Sequence, residues 1–278
     1  MYTESGPARL YYEVHGNGAA PPLLMIRGLA RTARHWGEVV PRLAERFRVI
    51  VFDNRGVGRS SAPPPPYTTR NMADDAARVL DAAGVRRAHV FGVSLGGMIA
   101  QELAIGHPAR VDGLVLGCTR AGGFRHSTRM PVSVIRELVG PMRLGPEQAV
   151  RQTAPLVLSE KFVRERPDVI EHWVELVREE PPVLHGVLAQ LVAGALHDTG
   201  DRLRHIRART LVVTGDADRL IDAENSRRLA RLIPQATLSL IPGAGHDFPT
   251  EAPTTVAELL VDFLGARPRA EPTVNSSR

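Results

Sequence analysis

A chain of 278 residues, 43% hydrophobic and 23% charged, has the composition of an ordinary folded protein with one large domain, which excludes an intrinsically disordered chain. No apolar run reaches the roughly 18–20 residues of a membrane span, and the polar N-terminus does not resemble a signal peptide, so a cytoplasmic protein without membrane partners is predicted. The net charge of +5 arises from 35 basic residues scattered among 30 acidic ones, without a long basic run, which argues against nucleic-acid binding.

Apolar strands alternate with amphipathic helices through the first 120 residues. Strands are predicted at 9–14, 22–28, 48–54, 88–93 and 112–119, and helices at 36–46, 71–84 and 96–107. This alternation is typical of a mostly parallel sheet covered by helices on both faces, an α/β fold.

The pattern changes after residue 120. The segment 121–206 contains helical patterns, several of which open with proline, and no strand separates them. Alternation then resumes with strands at 210–218 and 236–241 and helices at 222–232 and 253–264. We therefore predict one core formed by 1–120 and 207–265, an all-helical cap inserted at 121–206, and a disordered polar tail at 266–278.

The only cysteine, Cys118, lies in the apolar run GLVLGC. An intramolecular disulfide is therefore excluded, and the thiol is interpreted as a small buried hydrophobe. The sequence contains no C-x-x-C pair and no histidines at metal-ligand spacing, so no metal site is predicted.

The stretch HVFGVSLGGMIA, residues 89–100, places Ser94 between glycines where a buried strand ends and a helix begins. A G-x-S-x-G motif in this context predicts a nucleophile held in a strained turn, since a Cβ at either glycine would crowd the neighbouring backbone. The alternative is a tight turn that contains a serine by chance.

A serine hydroxyl needs a base to remove its proton and an acid to orient that base. His246, in the glycine-rich loop IPGAGHDF, is the only histidine after the strand at 210–218 and is the candidate base. Asp216 and Asp218 both follow that strand and are the candidate acids, although both could instead cap the helix that starts near Asp222.

An oxyanion hole requires backbone donors from the residue after the nucleophile and from an earlier loop. The amide of Leu95 is the first candidate. The strand at 22–28 ends in RGLA, so the amide of Leu29 is the second.

Five segments, RGLA, DNRGVGRS, GVSLGGM, GDAD and GAGH, follow one another in the order found in the α/β-hydrolase superfamily, which the chain resembles over nearly all of residues 9–265. It is most similar to small bacterial carboxylesterases and to 3-oxoadipate enol-lactonase-like hydrolases with a helical cap. The resemblance implies that the acid is the last residue of GDAD, Asp218, and that Ser94 distinguishes the chain from relatives with aspartate as nucleophile.

The chain departs from the family at the oxyanion loop, where Arg27-Gly28 replaces the usual His-Gly. Arginine cannot accept a hydrogen bond, so Arg27 is expected either to pair with a carboxylate such as Asp53 or to contact an acidic substrate group. Arg55 in DNRGVGRS is interpreted as bracing its loop through an ion pair, with substrate contact as the alternative.

The sequence thus predicts a serine hydrolase that cleaves a small-molecule carboxylic ester or lactone through an acyl-enzyme, without a cofactor. The predicted cap is aliphatic and poor in aromatic residues, which favours an apolar substrate of moderate size. Trp36 and Trp173 are candidate pocket residues, although Trp36 could serve the core alone.

Three alternatives remain open at this point. A hydrolase of C–C bonds in vinylogous diketones, or a cofactor-free perhydrolase or acyltransferase, would have the same triad. A non-catalytic ligand receptor could use the same fold. The physiological substrate, the stereochemical preference and the oligomeric state do not follow from the sequence.

Overall fold

An eight-stranded sheet forms the centre of the protein, whose computed structural model describes residues 1–265. The strands are β1 Tyr2–Ser5, β2 Ala8–His15, β3 Pro22–Ile26, β4 Arg48–Phe52, β5 Ala88–Val93, β6 Val111–Gly117, β7 Arg209–Gly215 and β8 Thr237–Ile241. They lie in the order β1-β2-β4-β3-β5-β6-β7-β8; β2 pairs antiparallel with β1 and β4, and the other neighbours are parallel. The predicted mostly parallel α/β sheet is confirmed.

Helices cover the sheet and fill the long connection between β6 and β7. They are α1 Val39–Ala44, α2 Thr69–Ala82, α3 Leu95–Gly106, α4 Gly123–His126, α5 Val132–Val139, α6 Pro146–Val157, α7 Glu160–Glu165, α8 Pro167–Glu179, α9 Leu184–Ala195, α10 Ala223–Leu232, α11 Phe248–Glu251 and α12 Pro253–Gly265. Helices α4 to α9 fall within 121–206, whose role as a cap stays a prediction; the tail predicted at 266–278 lies outside the described residues. Within residues 1–265, none of the helices combines the length and hydrophobicity that a bilayer-spanning segment requires.

The core is divided by the sheet into two layers, because successive side chains of a strand point to opposite faces. In β3, Leu24 and Ile26 belong to the layer under α2 and α3, whereas Leu23 and Met25 belong to the layer under α1 and α12. All four side chains are fully buried. Burial on both faces explains why the inner strands are continuous apolar runs rather than alternating ones.

Two local predictions differ from the structure. The N-terminal residues, for which no strand was predicted, form the edge strand β1, which pairs with β2; its polar residues give no apolar strand signal. The helix predicted at 36–46 is divided into a 3₁₀ turn at Ala33–Trp36 and the short helix α1. Gly37 separates them with a φ of 48°, which is outside the helical range and is readily adopted by glycine.

The carboxyl ends of the parallel strands meet at one edge of the sheet, where ligands bind in open α/β folds. Each strand that carries a predicted site residue delivers it there: Arg27 and Leu29 follow β3, Ser94 follows β5, Asp218 follows β7 and His246 follows β8. The topology therefore brings four distant parts of the chain to one edge.

Candidate active site

Ser94 occupies a strained turn between β5 and α3. Its backbone has φ 59° and ψ −120°, a left-handed conformation that is uncommon for a residue with a Cβ. The turn is held in a tight space: a Cβ on Gly92 would lie 2.2 Å from the carbonyl oxygen of Gly96, and one on Gly96 would lie 2.0 Å from that of Ile26. Such strain persists only where the surroundings impose it, which is typical of functional turns.

Asp218 and His246 form a buried hydrogen-bonded pair at the same edge. Nδ1 of His246 lies 2.8 Å from Oδ2 of Asp218, and the two side chains are 7% and 0% exposed. A carboxylate can only accept, so Nδ1 donates to it, and in the neutral form of the imidazole Nε2 is the nitrogen that could act as a base. The other carboxylate oxygen of Asp218 accepts from the amides of Leu220 and Ile221, which fixes its orientation.

Asp216, the other acid that the sequence allowed, points elsewhere. Its Oδ1 accepts from the amide of Gly243 at 2.6 Å and braces the turn after β8. Of the two candidate acids, Asp218 is therefore the one that the fold places against His246. Its assignment as the acid also agrees with the last position of GDAD.

Electrostatics favours a charged His246 imidazole despite its burial. Burial lowers its pKa, but the carboxylate of Asp218 outweighs this effect and raises the pKa well above the usual value. Sγ of Cys118 lies 4.0 Å from Nε2. Burial also raises the pKa of Cys118, which keeps that thiol protonated. Cys118, Asp218 and His246 have potential metal-ligating atoms within 4.8 Å of one another, yet Nδ1 of His246 is already engaged by Asp218.

Ser94 and His246 both line one large cavity of about 900 Å³. Among the described residues, Ser94 Oγ and His246 Nε2 do not form a hydrogen bond with each other. Hydrogen bonds of this kind are often long without substrate and tighten in the reacting complex. The two residues thus share a cavity without a direct hydrogen bond between them.

Two backbone amides at the cavity are free to bind an oxyanion. Leu95 begins α3, so its amide has no intrahelical partner, and neither it nor the amide of Leu29 donates to another residue within 1–265. A Cβ on Gly28 would lie 3.0 Å from Cβ of Ser94, so glycine is needed for the oxyanion loop to approach the serine. Leu29 and Leu95 line the same cavity as Ser94.

Arg27 pairs with a carboxylate, as one of the two expectations from the sequence had it, but the partner is not Asp53. Its guanidinium instead donates to both carboxylate oxygens of Asp247, at 3.1 and 2.8 Å, with the two side chains 2% and 7% exposed. Asp53 accepts from the backbone of Ala33 and from Arg59. Arg27 therefore ties the oxyanion loop to the loop of His246, a contact between residues 220 positions apart.

Arg55 donates to both carboxylate oxygens of Asp75, at 2.6 and 2.7 Å, which agrees with a loop-bracing ion pair. Trp36 is 1% exposed, is not among the residues that line the cavity, and packs against Phe91 with ring centroids 5.2 Å apart, which favours its core role. Trp173 is likewise buried, 2% exposed, and lies outside the cavity lining.

Sequence reasoning missed two charged residues at this site, Asp247 and Arg31. Each lies beside a recognised motif, Asp247 directly after GAGH and Arg31 directly after RGLA, and both line the cavity. A charged residue next to a catalytic motif is the signal that would have pointed to them.

A doubly wound sheet with a strained serine, a buried histidine–aspartate pair and a large cavity at its carboxyl edge defines a hydrolase of the α/β class. The chain belongs to the family described as "alpha/beta hydrolase fold", whose model matches residues 21–253. The predicted family and fold are thereby confirmed.

Known proteins resemble the chain along almost its full length. A relative from Azorhizobium caulinodans named "Putative carbamate hydrolase RutD" is 34% identical over 266 residues, which cover 95% of this chain and 98% of the relative. A thermophilic esterase from Thermogutta terrifontis, solved with malate bound, is 30% identical with a TM-score of 0.80 over 93% of each chain. The enol-lactonase from Burkholderia xenovorans is 24% identical with a TM-score of 0.86, covers 96% of this chain and 100% of that one, and thus shares the fold.

Proposed function

We propose that the protein is a serine hydrolase that cleaves a carboxylic ester or a lactone. Ser94 is the nucleophile, His246 the general base and acid, and Asp218 the group that orients the imidazole. The amides of Leu29 and Leu95 form the oxyanion hole. The observation that supports the proposal is the buried hydrogen bond between Asp218 and Nδ1 of His246, together with the cavity that His246 and the strained Ser94 both line.

The proposed reaction runs in two halves. His246 Nε2 takes the proton of Ser94 as Oγ attacks the substrate carbonyl, and the two amides stabilise the negative charge on the carbonyl oxygen. The imidazolium then protonates the leaving alcohol as its C–O bond breaks, which leaves an acyl group on Ser94. Water attacks this ester, His246 removes its proton, and the acid departs as Ser94 recovers its hydrogen. No step requires a metal or an organic cofactor.

The cavity favours a substrate larger than a minimal ester. Its volume of about 900 Å³ lies in the upper range of small-molecule sites, and aliphatic side chains from the segment proposed as a cap form much of its wall. These include Leu138, Val139, Val150, Leu184 and Leu191. An acyl or alcohol group of moderate size is the partner that such a wall would stabilise.

A fluorophosphonate probe tests the nucleophile. We expect the native enzyme to be labelled and the modified peptide to carry the label on Ser94, because only an activated serine reacts rapidly with such a probe. Ser94→Ala should not be labelled, whereas Ser127→Ala, which removes a hydroxyl elsewhere in the cavity lining, should be labelled like the native enzyme. An unlabelled native enzyme would contradict the proposal and favour a non-catalytic receptor.

Carbamate hydrolysis is a second candidate, favoured by the name of the RutD relative. The same residues could attack a carbamate carbonyl, so the substrates must be compared directly. We expect ethyl esters of medium-chain acids and small lactones to be cleaved with higher kcat/KM than carbamates bearing the same alcohol, since the cavity exceeds the needs of a small carbamate. A preference for carbamates across this series would reverse the choice.

A further inference from the structure

Arg31 places a guanidinium in the wall of the cavity, directly after the oxyanion loop. Its guanidinium carbon lies over the ring of Trp173, 3.8 Å from the ring centroid. Trp173 is itself held by α8 in a buried cluster with Ala154, Leu158 and Leu176. The stacked guanidinium is therefore supported by a fixed surface rather than extended into solvent.

This guanidinium has no anionic partner of its own. Within residues 1–265, its side chain forms no ion pair and no hydrogen bond, and its recorded side-chain contact is the stack on Trp173. Asp247 is the nearby acid, but both of its carboxylate oxygens accept from Arg27. Burial lowers the pKa of Arg31 to about 10, with Asp247 opposing and Arg27 adding to the effect, so the group is still charged at neutral pH.

The rest of the cavity lining also carries arginines that have no carboxylate partner among the described residues. Arg120 and Arg129 also line it, and within the described part of the chain neither has a carboxylate partner: Arg120 donates to the carbonyl of Gly194, and Arg129 lies over the ring of Phe124. Asp247 is the one carboxylate in the lining formed by the described residues. An otherwise aliphatic cavity thus carries a surplus of positive charge.

We propose that Arg31 binds a carboxylate of the substrate, so that the preferred substrates are monoesters of dicarboxylic acids or lactones that bear a free acid. A half-buried cation without an ion-pair partner is favourable for anion binding, and a carboxylate offers the planar, two-oxygen acceptor that a guanidinium binds best. Arg31 follows Leu29 by two residues and lines the same cavity as Ser94, so the carboxylate and the reacting carbonyl would share that cavity. The assignment rests on the proposed ester hydrolase function.

Matched pairs of esters test it. The ethyl monoesters of succinic, glutaric and adipic acid are compared with ethyl butyrate, valerate and hexanoate, in which a methyl group replaces the free carboxylate. We expect the native enzyme to prefer the acidic member of at least one pair, and Arg31→Gln to lower that ratio of kcat/KM values by about 10- to 100-fold, the usual worth of a charged hydrogen bond. Arg31→Lys should retain part of the preference.

A control separates direct binding from general attraction. Arg86→Gln removes the same charge from an exposed side chain before β5, at the opposite end of that strand from Ser94, and should keep the native ratio. An unchanged ratio in Arg31→Gln, an equal fall in Arg86→Gln, or no acidic preference in any pair would overturn the assignment. Thermal melting of each variant checks that it is folded.

Binding without turnover distinguishes this proposal from the hydrolase proposal. Monoethyl glutarate is titrated into Ser94→Ala and into Ser94→Ala/Arg31→Gln, followed by calorimetry. We expect binding to the first variant and a loss of at least tenfold in affinity in the second. If the native enzyme cleaves neither ester yet this difference holds, the hydrolase proposal fails and the carboxylate site stands. Equal or absent binding in both variants overturns the carboxylate site.

Discussion

Asp218→Asn should lower kcat by about four orders of magnitude, the size of the effect when the acid of a serine triad is replaced by its amide. In the native enzyme the carboxylate accepts from Nδ1 of His246, so the neutral imidazole carries its proton on Nδ1 and has Nε2 available as the base. An asparagine that still accepts two amides through its oxygen presents its NH₂ group to the imidazole, which favours the tautomer with the proton on Nε2. The steady-state hydrolysis of a medium-chain ethyl ester measures this loss.

Asp216→Asn is the matched control, since it makes the same change two residues earlier. Asp216 is exposed and accepts a hydrogen bond from the amide of Gly243. Replacing its carboxylate with the side-chain amide of asparagine should therefore change kcat by less than about tenfold, through local loop effects alone. Equal losses in the two variants, or the larger loss at Asp216, would refute the choice of Asp218.

The pH dependence of kcat/KM provides a second test of the Asp218–His246 pair. The base must be neutral, so kcat/KM rises as pH passes through the pKa of His246. Because the carboxylate of Asp218 raises that pKa, with the ion pair of Asp247 and Arg27 and the neutral thiol of Cys118 also nearby, the rise in the native enzyme should have its midpoint above pH 6.5. In Asp218→Asn the residual activity should rise at lower pH, because the charge that favours the imidazolium is gone. A midpoint unchanged by the substitution would contradict this account.

Patterns of hydrophobicity were sufficient to predict the sheet, because strands such as β3 and β5 are buried on both faces and therefore apolar throughout. The edge strand β1 has no such constraint, and its YTES sequence carries no signal. The break at Gly37 was equally hidden, since a helical pattern continues across a glycine whose conformation the sequence does not specify. Strands that are buried on both faces can therefore be predicted from their hydrophobicity, whereas edge strands and turns cannot.

The residues of the candidate site could likewise be predicted only in part. Ser94 and His246 could be located from motif and chain order, but Asp216 and Asp218 could be separated only by resemblance, because residues in a loop have no periodicity to orient them. A carboxylate partner for Arg27 could be predicted, but not which carboxylate it is. Asp53 is close in sequence and was the natural guess, whereas Asp247 becomes a neighbour only once β3 and β8 reach the same edge. The stack of Arg31 on Trp173 depends on the docking of a helix more than 130 residues away and is invisible to local patterns.

Arg27→Met should lower the free energy of unfolding by about 3–5 kcal/mol, the cost of removing one partner from a buried ion pair. The Asp247 carboxylate would remain buried at 7% exposure after losing both hydrogen bonds from the guanidinium. Replacing the acid as well, in Arg27→Met/Asp247→Leu, removes the unpaired charge and should recover most of the loss. Urea denaturation of the single and double variants yields the coupling between the two positions.

The exposed pair of Arg151 and Glu171 provides the comparison, because it has the same chemistry without burial. Arg151→Met should leave the urea midpoint close to the native value, since water replaces the lost contact. If Arg27→Met were as mild as Arg151→Met, the link between the oxyanion loop and the His246 loop would contribute little to stability, and the arginine at this position would need another explanation. If the double variant recovered nothing, the loss would come from packing against Trp36, whose ring centroid lies 4.6 Å from the Arg27 guanidinium, rather than from the stranded charge.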